Sequence, residues 1–185
     1  MRKKIPAAGR GEIFAWCWYD FSNSAFVTVV ITVVGGVFFT RNVCGGAAWA
    51  ELAWGCVLSA SAAMAMVAGP FLGRWTDHRA SKKPALVVLT LLCVAGTLVF
   101  GWPRLGMVGA MGVLALANCA FLLGENLVAA FLPELAEPGR RGRVSAYGWA
   151  FGYVGGLASL ALALWLIREG GSERSEEHTS ELQSR

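Results

Sequence analysis

The chain has 185 residues, a formal net charge of +4, 56% hydrophobic residues and only 15% charged residues. Soluble domains carry about 25% charged residues, so this composition excludes an ordinary soluble domain and favours a membrane protein. The positive charges lie between apolar runs and form no continuous stripe, which argues against nucleic-acid binding. The five cysteines show no paired spacing, so the sequence predicts no disulfide framework, no metal site and no cofactor.

The N-terminus begins with a basic segment, Met1 to Lys4, that resembles the start of a signal peptide. The apolar stretch that follows covers residues 14–39, far longer than the ~7–15 residues of a signal-peptide core. It also contains Asp20 and Asn23. We therefore expect a retained first transmembrane helix.

The rest of the chain contains four more apolar runs separated by breakers. A run of ~20 apolar residues matches the hydrocarbon thickness of a bilayer. Pro84 lies at the start of the third run, Pro103 and Gly106 separate the third from the fourth, and Pro133 ends the fourth. The sequence predicts an all-α, polytopic membrane helix bundle with five spans, at about 14–39, 49–72, 85–102, 106–132 and 146–167.

The Lys and Arg residues are distributed asymmetrically between the two sides of these spans. One side holds eleven of them and the other, before the last span, holds two. The positive-inside rule then places the N-terminus in the cytoplasm, in a membrane that we expect to be a bacterial inner membrane. The eleven are Arg2, Lys3, Lys4, Arg10, Arg74, Arg79, Lys82, Lys83, Arg140, Arg141 and Arg143; the two are Arg41 and Arg104.

The C-terminal segment 169–185 changes character abruptly, with five acidic residues and no aromatic residue. It has no pattern that could bury a face, so the sequence predicts a disordered tail. Residues 174–185 also resemble a spurious reading frame found at the ends of unrelated predicted proteins. We expect this part of the tail to be non-native.

Polar side chains interrupt the first and fourth spans. Spacings of three and four residues place Asp20, Asn23 and Ser24 on one face of the first helix. In the fourth span Asn118 and Glu125 share a face, and Asn126 follows. Inserting an ionisable group into a bilayer costs about 2.5–3.5 kcal/mol on insertion scales, so we expect each such residue in a span to have a functional or structural role.

The two carboxyl groups of these spans are expected at similar depth. At 1.5 Å per residue, Asp20 lies roughly 9 Å and Glu125 roughly 12 Å from the cytoplasmic ends of their helices. They form a candidate site for a coupling proton, a cation or a substrate amine. Alternatively, Asp20 is hydrated near the interface or caps a neighbouring helix. No nucleophile–base pair, histidine cluster or phosphate-binding loop occurs, so an enzyme is not expected.

A basic segment connects the second and third spans, from Gly69 to Pro84. Its glycines permit close helix approach. Asp77 could cap the third span or pair with a basic residue. The basic loop as a whole could serve only as a positive-inside anchor, or it could have a role in gating. We favour a cytoplasmic gating role for five of its residues: Gly73, Asp77, Arg79, Lys82 and Lys83.

Glycines also repeat every four residues in the fifth span, at Gly148, Gly152 and Gly156, with Gly155 alongside. Together with Gly69 they predict faces for close helix packing. Packing alone suffices to explain the repeat, and a moving interface is the alternative.

Three stretches resemble a transporter family. They are Trp16-Cys-Trp-Tyr-Asp-Phe-Ser-Asn-Ser-Ala25, the loop 73–84, and residues 130–156 with the segment Arg141-Gly-Arg-Val-Ser. The loop resembles the signature between helices 2 and 3 of the major facilitator superfamily. The other two stretches are similar to its vacuole-effluxer-like branch. His78 and Ala80 depart from the pattern, which prefers Arg and Gly there.

The resemblance implies a secondary transporter made of two six-helix halves, with the substrate bound near the midplane between them. Residues 1–168 would supply five helices of the N-terminal half, so we expect the chain to be a fragment that lacks the sixth helix and the C-terminal half. The implied substrate is a small solute such as an amino acid or a related metabolite. The rival interpretations are a non-transport membrane scaffold and, less favoured, a membrane-embedded enzyme.

Overall fold

The computed structural model describes residues 9–79, 81–102 and 104–183, with side chains described as far as residue 170. Within these ranges the chain is helical and contains no strand, which confirms the predicted all-α class. Numbered in chain order, the helices are α1 (Arg10–Val43), α2 (Ala50–Arg79), α3 (Lys82–Phe100), α4 (Gly106–Ala129), the short α5 (Leu132–Leu135) and α6 (Arg141–Gln183).

Five segments of the described chain are long and apolar enough to cross a bilayer. Their windows of highest hydropathy average between 1.7 and 2.1, and large apolar side chains such as Leu52, Leu98 and Val108 are exposed on the outside. A surface of this kind is stable in lipid and not in water. The protein is an all-α membrane helix bundle, with spans within Arg10–Val43, Ala50–Arg79, Lys82–Phe100, Gly106–Leu135 and Arg141–Gly170.

The segment that connects the second and third spans is mostly helical, which corrects the prediction of a loop from residue 73. Helix α2 continues through Gly73 and Asp77 to Arg79, and α3 starts at Lys82. Residues 73–79 contain no helix breaker other than Gly73, and the basic residues His78 and Arg79 suit the last turn of a helix. Ala80 lies outside the described residues.

Helix α1 is not a regular α-helix over its whole length. Residues Phe26–Val33 and Phe39–Val43 have π-helical hydrogen bonding, with the α-helical turn Val34–Phe38 between them. The Thr32 hydroxyl donates a hydrogen bond of 2.8 Å to the carbonyl of Val27, five residues earlier. Short π segments are frequent at functional sites.

Helix α4 occupies the centre of the bundle. In its most apolar window 39% of the residues are buried, against 17% in each of the other four spans. It packs against both α2 and α3, while α1 packs along α6. One core cluster includes Phe26 and Phe121, whose ring centroids lie 5.0 Å apart, and a second includes Phe39 and Leu114.

The backbone of α6 stays helical to Gln183, where the sequence predicts an irregular tail from residue 169. Gly170 and Gly171 follow the apolar span and are typical of a helix end, but the backbone stays helical through both, and residues 169–183 contain no proline. The interpretation of residues 174–185 as non-native stays a prediction.

Candidate functional site

A cavity of about 440 Å³ lies between α1, α4 and α6. Pockets for small molecules typically measure about 300–1,000 Å³, so its size suits a small solute. Both carboxyl groups singled out in the sequence, those of Asp20 and Glu125, line it. The other lining residues are Ser24, Val27, Thr28, Trp149, Gly152, Tyr153, Gly156 and Leu157.

Helical spacing explains the α1 side of the cavity. Asp20, Ser24 and Thr28 recur every four residues, which keeps them on one face of the helix. Asn23 lies beside this face and outside the cavity lining, and its amide nitrogen donates a hydrogen bond of 2.6 Å to Oε1 of Glu125. Asn23 therefore links α1 to α4 and orients the Glu125 carboxyl group.

The two carboxyl groups have different surroundings. Glu125 is half-buried and accepts the hydrogen bond from Asn23. Asp20 is also half-buried, and among the described residues no side-chain hydrogen bond or ion pair reaches its carboxylate. None of the described Lys, Arg or His residues lines the cavity. Among the described residues, its charged lining groups are therefore the two carboxylates, which lie in a largely apolar wall.

Glycines on α6 allow the carboxylate side of α1 to approach closely. A Cβ atom at Gly152 would lie 2.7 Å from Oδ2 of Asp20, and one at Gly148 would lie 2.5 Å from the ring of Trp16. A Cβ at Gly156 would lie 2.6 Å from Oγ1 of Thr28, and one at Gly155 would clash with the backbone carbonyl of Phe21. These glycines thus face α1 along several turns.

The remaining polar residues of α4 lie elsewhere. Asn118 is buried and its amide nitrogen donates a hydrogen bond of 2.5 Å to Oγ of Ser61 on α2. Asn126 is exposed and lines a separate recess of about 160 Å³ beside Gly73 and Asp77. The structure therefore brings Asp20, Asn23 and Glu125 together and separates Asn118 and Asn126 from them.

Lys82 also lines that recess and joins three parts of the chain. Its ammonium group lies 2.7 Å from Oε1 of Glu134 and 3.6 Å from Oδ1 of Asp77. It also lies 3.4 Å from the carbonyl oxygen of Ala130. Of the basic partners considered for Asp77 in the sequence, the structure thus selects Lys82.

The other residues of the predicted gating loop have different environments. Arg79 lies over the ring of Trp75, 5.4 Å from its centroid. Lys83 lines a surface recess with Phe131 and Glu134. A Cβ at Gly73 would meet no atom within 4 Å, and one at Gly69 would meet only Leu123, at 4.0 Å. The Gly69–Gly73 face is therefore not a close helix contact in this structure.

Sequence reasoning did not select Thr28, Trp149 and Tyr153, which line the cavity. It also missed two residues of a separate recess between α1, α3 and α6, and one residue at the loop. The Tyr19 and Thr90 hydroxyls share a hydrogen bond of 3.0 Å that joins α1 to α3. Tyr19 could have been found from its place beside Asp20, and Thr90 as an isolated polar residue in an apolar span. Glu134 carried no such signal, because an acidic residue in a connection between spans is ordinary.

The chain is similar to one curated protein, the uncharacterized MFS-type transporter YxiO of Bacillus subtilis (strain 168). The two are 25% identical over 157 residues, which is 83% of this chain and 37% of that protein. The chain therefore spans well under half the length of the relative it matches. No family model matches the chain, and no solved structure matches it. The similarity supports a likeness to MFS-type transporters and specifies no substrate.

Proposed function

We propose that this chain is part of a secondary active transporter of the major facilitator type that moves a small solute by alternating access. The observation that carries the proposal is the acidic cavity between α1, α4 and α6. Intramembrane carboxyl groups are costly and mark substrate or ion pathways. Asp20 and Glu125 come from different helices and meet in one cavity large enough for a solute. The likeness to an MFS-type transporter favours the same function.

In this proposal the chain contributes the N-terminal side of a larger substrate path. The remaining helices, including a C-terminal half, would come from a longer polypeptide. Such transporters bind substrate near the midplane between two halves that rock against each other. The vacuole-effluxer-like branch, and with it an amino acid or related metabolite as substrate, rests on the sequence motifs at 16–25 and 130–156.

The ion cluster at Lys82 gives the proposed gate a concrete form. Lys82 joins the end of α2, through Asp77, to the connection after α4, through Glu134. Contacts that hold one arrangement of the helix ends bias a two-state transporter toward that state. We assign the gating role to this cluster, with Arg79 and Lys83 at its margin.

A transport assay with Glu125→Gln tests the proposal. The protein encoded by the complete gene is produced in cells, and saturable uptake or efflux of labelled small solutes is measured across a range of pH. We expect the variant to lower flux by about tenfold or more and to abolish its pH dependence, because the position loses its exchangeable proton. Glu137→Gln is the matched control, since Glu137 is exposed in the connection before α6.

The rival scaffold interpretation makes the opposite prediction. A scaffold depends on helix packing alone, so Asp20→Asn and Glu125→Gln would leave every measurable property unchanged as long as the bundle folds. Unchanged flux and unchanged pH dependence in both variants would contradict the transporter site proposed here.

A further inference from the structure

The cavity between α1, α4 and α6 has an aromatic wall as well as two carboxyl groups. Trp149 and Tyr153, one turn apart on α6, line it, and their ring centroids lie 6.2 Å apart. Each residue is 67% exposed, so most of its surface is free of contact with the rest of the described bundle. The rings therefore remain available to a ligand in the cavity.

This combination is selective for one class of ligand. Aromatic rings attract cations at their faces, and most strongly where water is excluded. The carboxylates of Asp20 and Glu125 supply the opposite charge, and none of the basic residues that the structure describes lines the cavity. A ligand carboxylate would meet only like charge there, whereas an ammonium group meets favourable partners on both sides.

A proton or a metal ion fits the cavity less well. A proton needs one carboxyl group and no space, yet the cavity measures about 440 Å³. Hard metal ions take six or more oxygen ligands. The described residues contain no group of three or more His, Cys, Asp or Glu side chains that could hold a metal ion, and Val27 and Leu157 occupy part of the cavity wall. Such apolar surface suits the carbon atoms of an organic ion.

We propose that this cavity binds a small organic ammonium ion, with Asp20 and Glu125 supplying the charge and Trp149 and Tyr153 the cation-binding wall. The proposal rests on the proposed transport function and replaces the amino acid suggested by the sequence motifs with an organic cation that has no carboxylate. Ser24 and Thr28 offer hydroxyl groups to a polar substituent of the ligand. Asn23 is a positioning residue, since its amide holds Glu125 and lies outside the cavity lining.

Calorimetric titration of the full chain in lipid nanodiscs tests the proposal with three probes of similar shape. Choline carries the positive charge, 3,3-dimethyl-1-butanol is its neutral carbon analogue, and glycine betaine adds a carboxylate. We expect choline to bind about tenfold or more tightly than either other probe, because only choline matches both the carboxylates and the rings. Equal binding of choline and the neutral analogue would overturn the proposal, as would no choline binding.

Substitutions in the aromatic wall distinguish its contribution to choline affinity from an effect on the folding of the bundle. Trp149→Leu and Tyr153→Leu are expected to weaken choline binding by about 2- to 30-fold each, the range for a cation–π contact. Both residues are mostly exposed, so each substitution removes little packing apart from the contact between the two rings. Trp102→Leu is the matched control, since Trp102 is 63% exposed and does not line the cavity. Choline affinity that is the same in all three variants would contradict the proposed wall.

The same measurements distinguish failure of this inference from failure of the transport proposal. Flux of a neutral solute by the complete protein, without choline binding to the chain, would overturn the ammonium site and leave transport standing. Choline binding without flux of any ammonium compound would leave the site standing and contradict transport.

Discussion

At the scale of single residues, Asn118 and Ser61 form the most buried polar contact between the described side chains. Ser61 is 0% and Asn118 is 7% exposed, and they join α4 to α2 through a hydrogen bond of 2.5 Å. A polar group in hydrocarbon must find an internal partner. We therefore assign Asn118 to helix packing rather than to the substrate path.

A double-mutant cycle with Ser61→Ala and Asn118→Leu measures this contact. We expect a coupling energy of about 0.5–2 kcal/mol, because interhelical hydrogen bonds in membranes average about 0.6 and reach about 1.7 kcal/mol. The measurement is reversible unfolding in mixed detergent. Additivity of the two single variants within about 0.3 kcal/mol would show that the contact contributes nothing. Ser22→Ala is the control, since Ser22 bonds only to its own helix.

Helical periodicity explains which site residues the sequence could predict. Asp20 and Asn23 share a face of α1 by their spacing, and the structure places both beside Glu125. Asn126 follows Glu125 directly, and one residue rotates a side chain by about 100° around the helix, so it faces a different recess. Asn118 lies two turns from Glu125 on α4, where α2 already covers that face. Sequence spacing contains no information about which helix covers a face.

At the scale of the helices, the contact between α1 and α6 depends on residues without side chains. Gly155 faces the backbone of Phe21, which leaves no room for a methyl group. We expect Gly155→Ala to lower the free energy of unfolding by about 1–3 kcal/mol, as overpacking does. Detergent-induced unfolding, followed by loss of helical circular dichroism, measures the change.

Gly112→Ala on α4 provides the matched control for Gly155→Ala. A Cβ atom at Gly112 would meet no atom within 4 Å, and the residue is exposed. Alanine favours helix by up to about 1 kcal/mol over glycine, so this variant should be neutral or more stable. Equal effects of the two substitutions would contradict a close α1–α6 contact at Gly155.

Helix ends and helix type were harder to predict than helix number. Hydropathy detects the apolar part of a helix and not its polar turns, so α2 reaches Arg79 although the apolar run stops near residue 72. The π segments of α1 are invisible to an apolar pattern. Phe26–Val33 is mostly β-branched and apolar, whereas Phe39–Val43 includes Arg41 and Asn42, so the two share no composition that marks a π-helix. Only the backbone hydrogen bonds distinguish them.

At the scale of the whole molecule, the arrangement of the helices could not be read from the sequence. The most apolar windows of the five spans have similar mean hydropathy, between 1.7 and 2.1, yet 39% of the window in α4 is buried against 17% in each of the others. In lipid the outside of a bundle is as apolar as its inside, so apolar content does not reveal which helix is central. Small residues at positions such as Ala110, Ala117 and Gly124 are the better signal, since all three are buried on α4.

The orientation of the bundle remains a prediction from charge, and it can be tested directly. The connection between α1 and α2 and the connection between α5 and α6 belong to opposite ends of the bundle, because an odd number of spans separates them. Eleven Lys and Arg residues lie on the side of the second connection and two on the side of the first, before the last span. We therefore expect the α5–α6 connection to face the cytoplasm.

Cysteine labelling measures this orientation in intact bacteria. In a variant without native cysteines, Ala48→Cys and Glu137→Cys each place one exposed thiol in these two connections. A membrane-impermeant maleimide should label position 48 in intact cells and position 137 only after the membrane is opened, because lysines and arginines near spans resist translocation. The reverse labelling pattern would show that the bundle has the opposite orientation in the membrane. It would also place the Lys82–Glu134 ion cluster outside the cell, where a cytoplasmic gate could not lie.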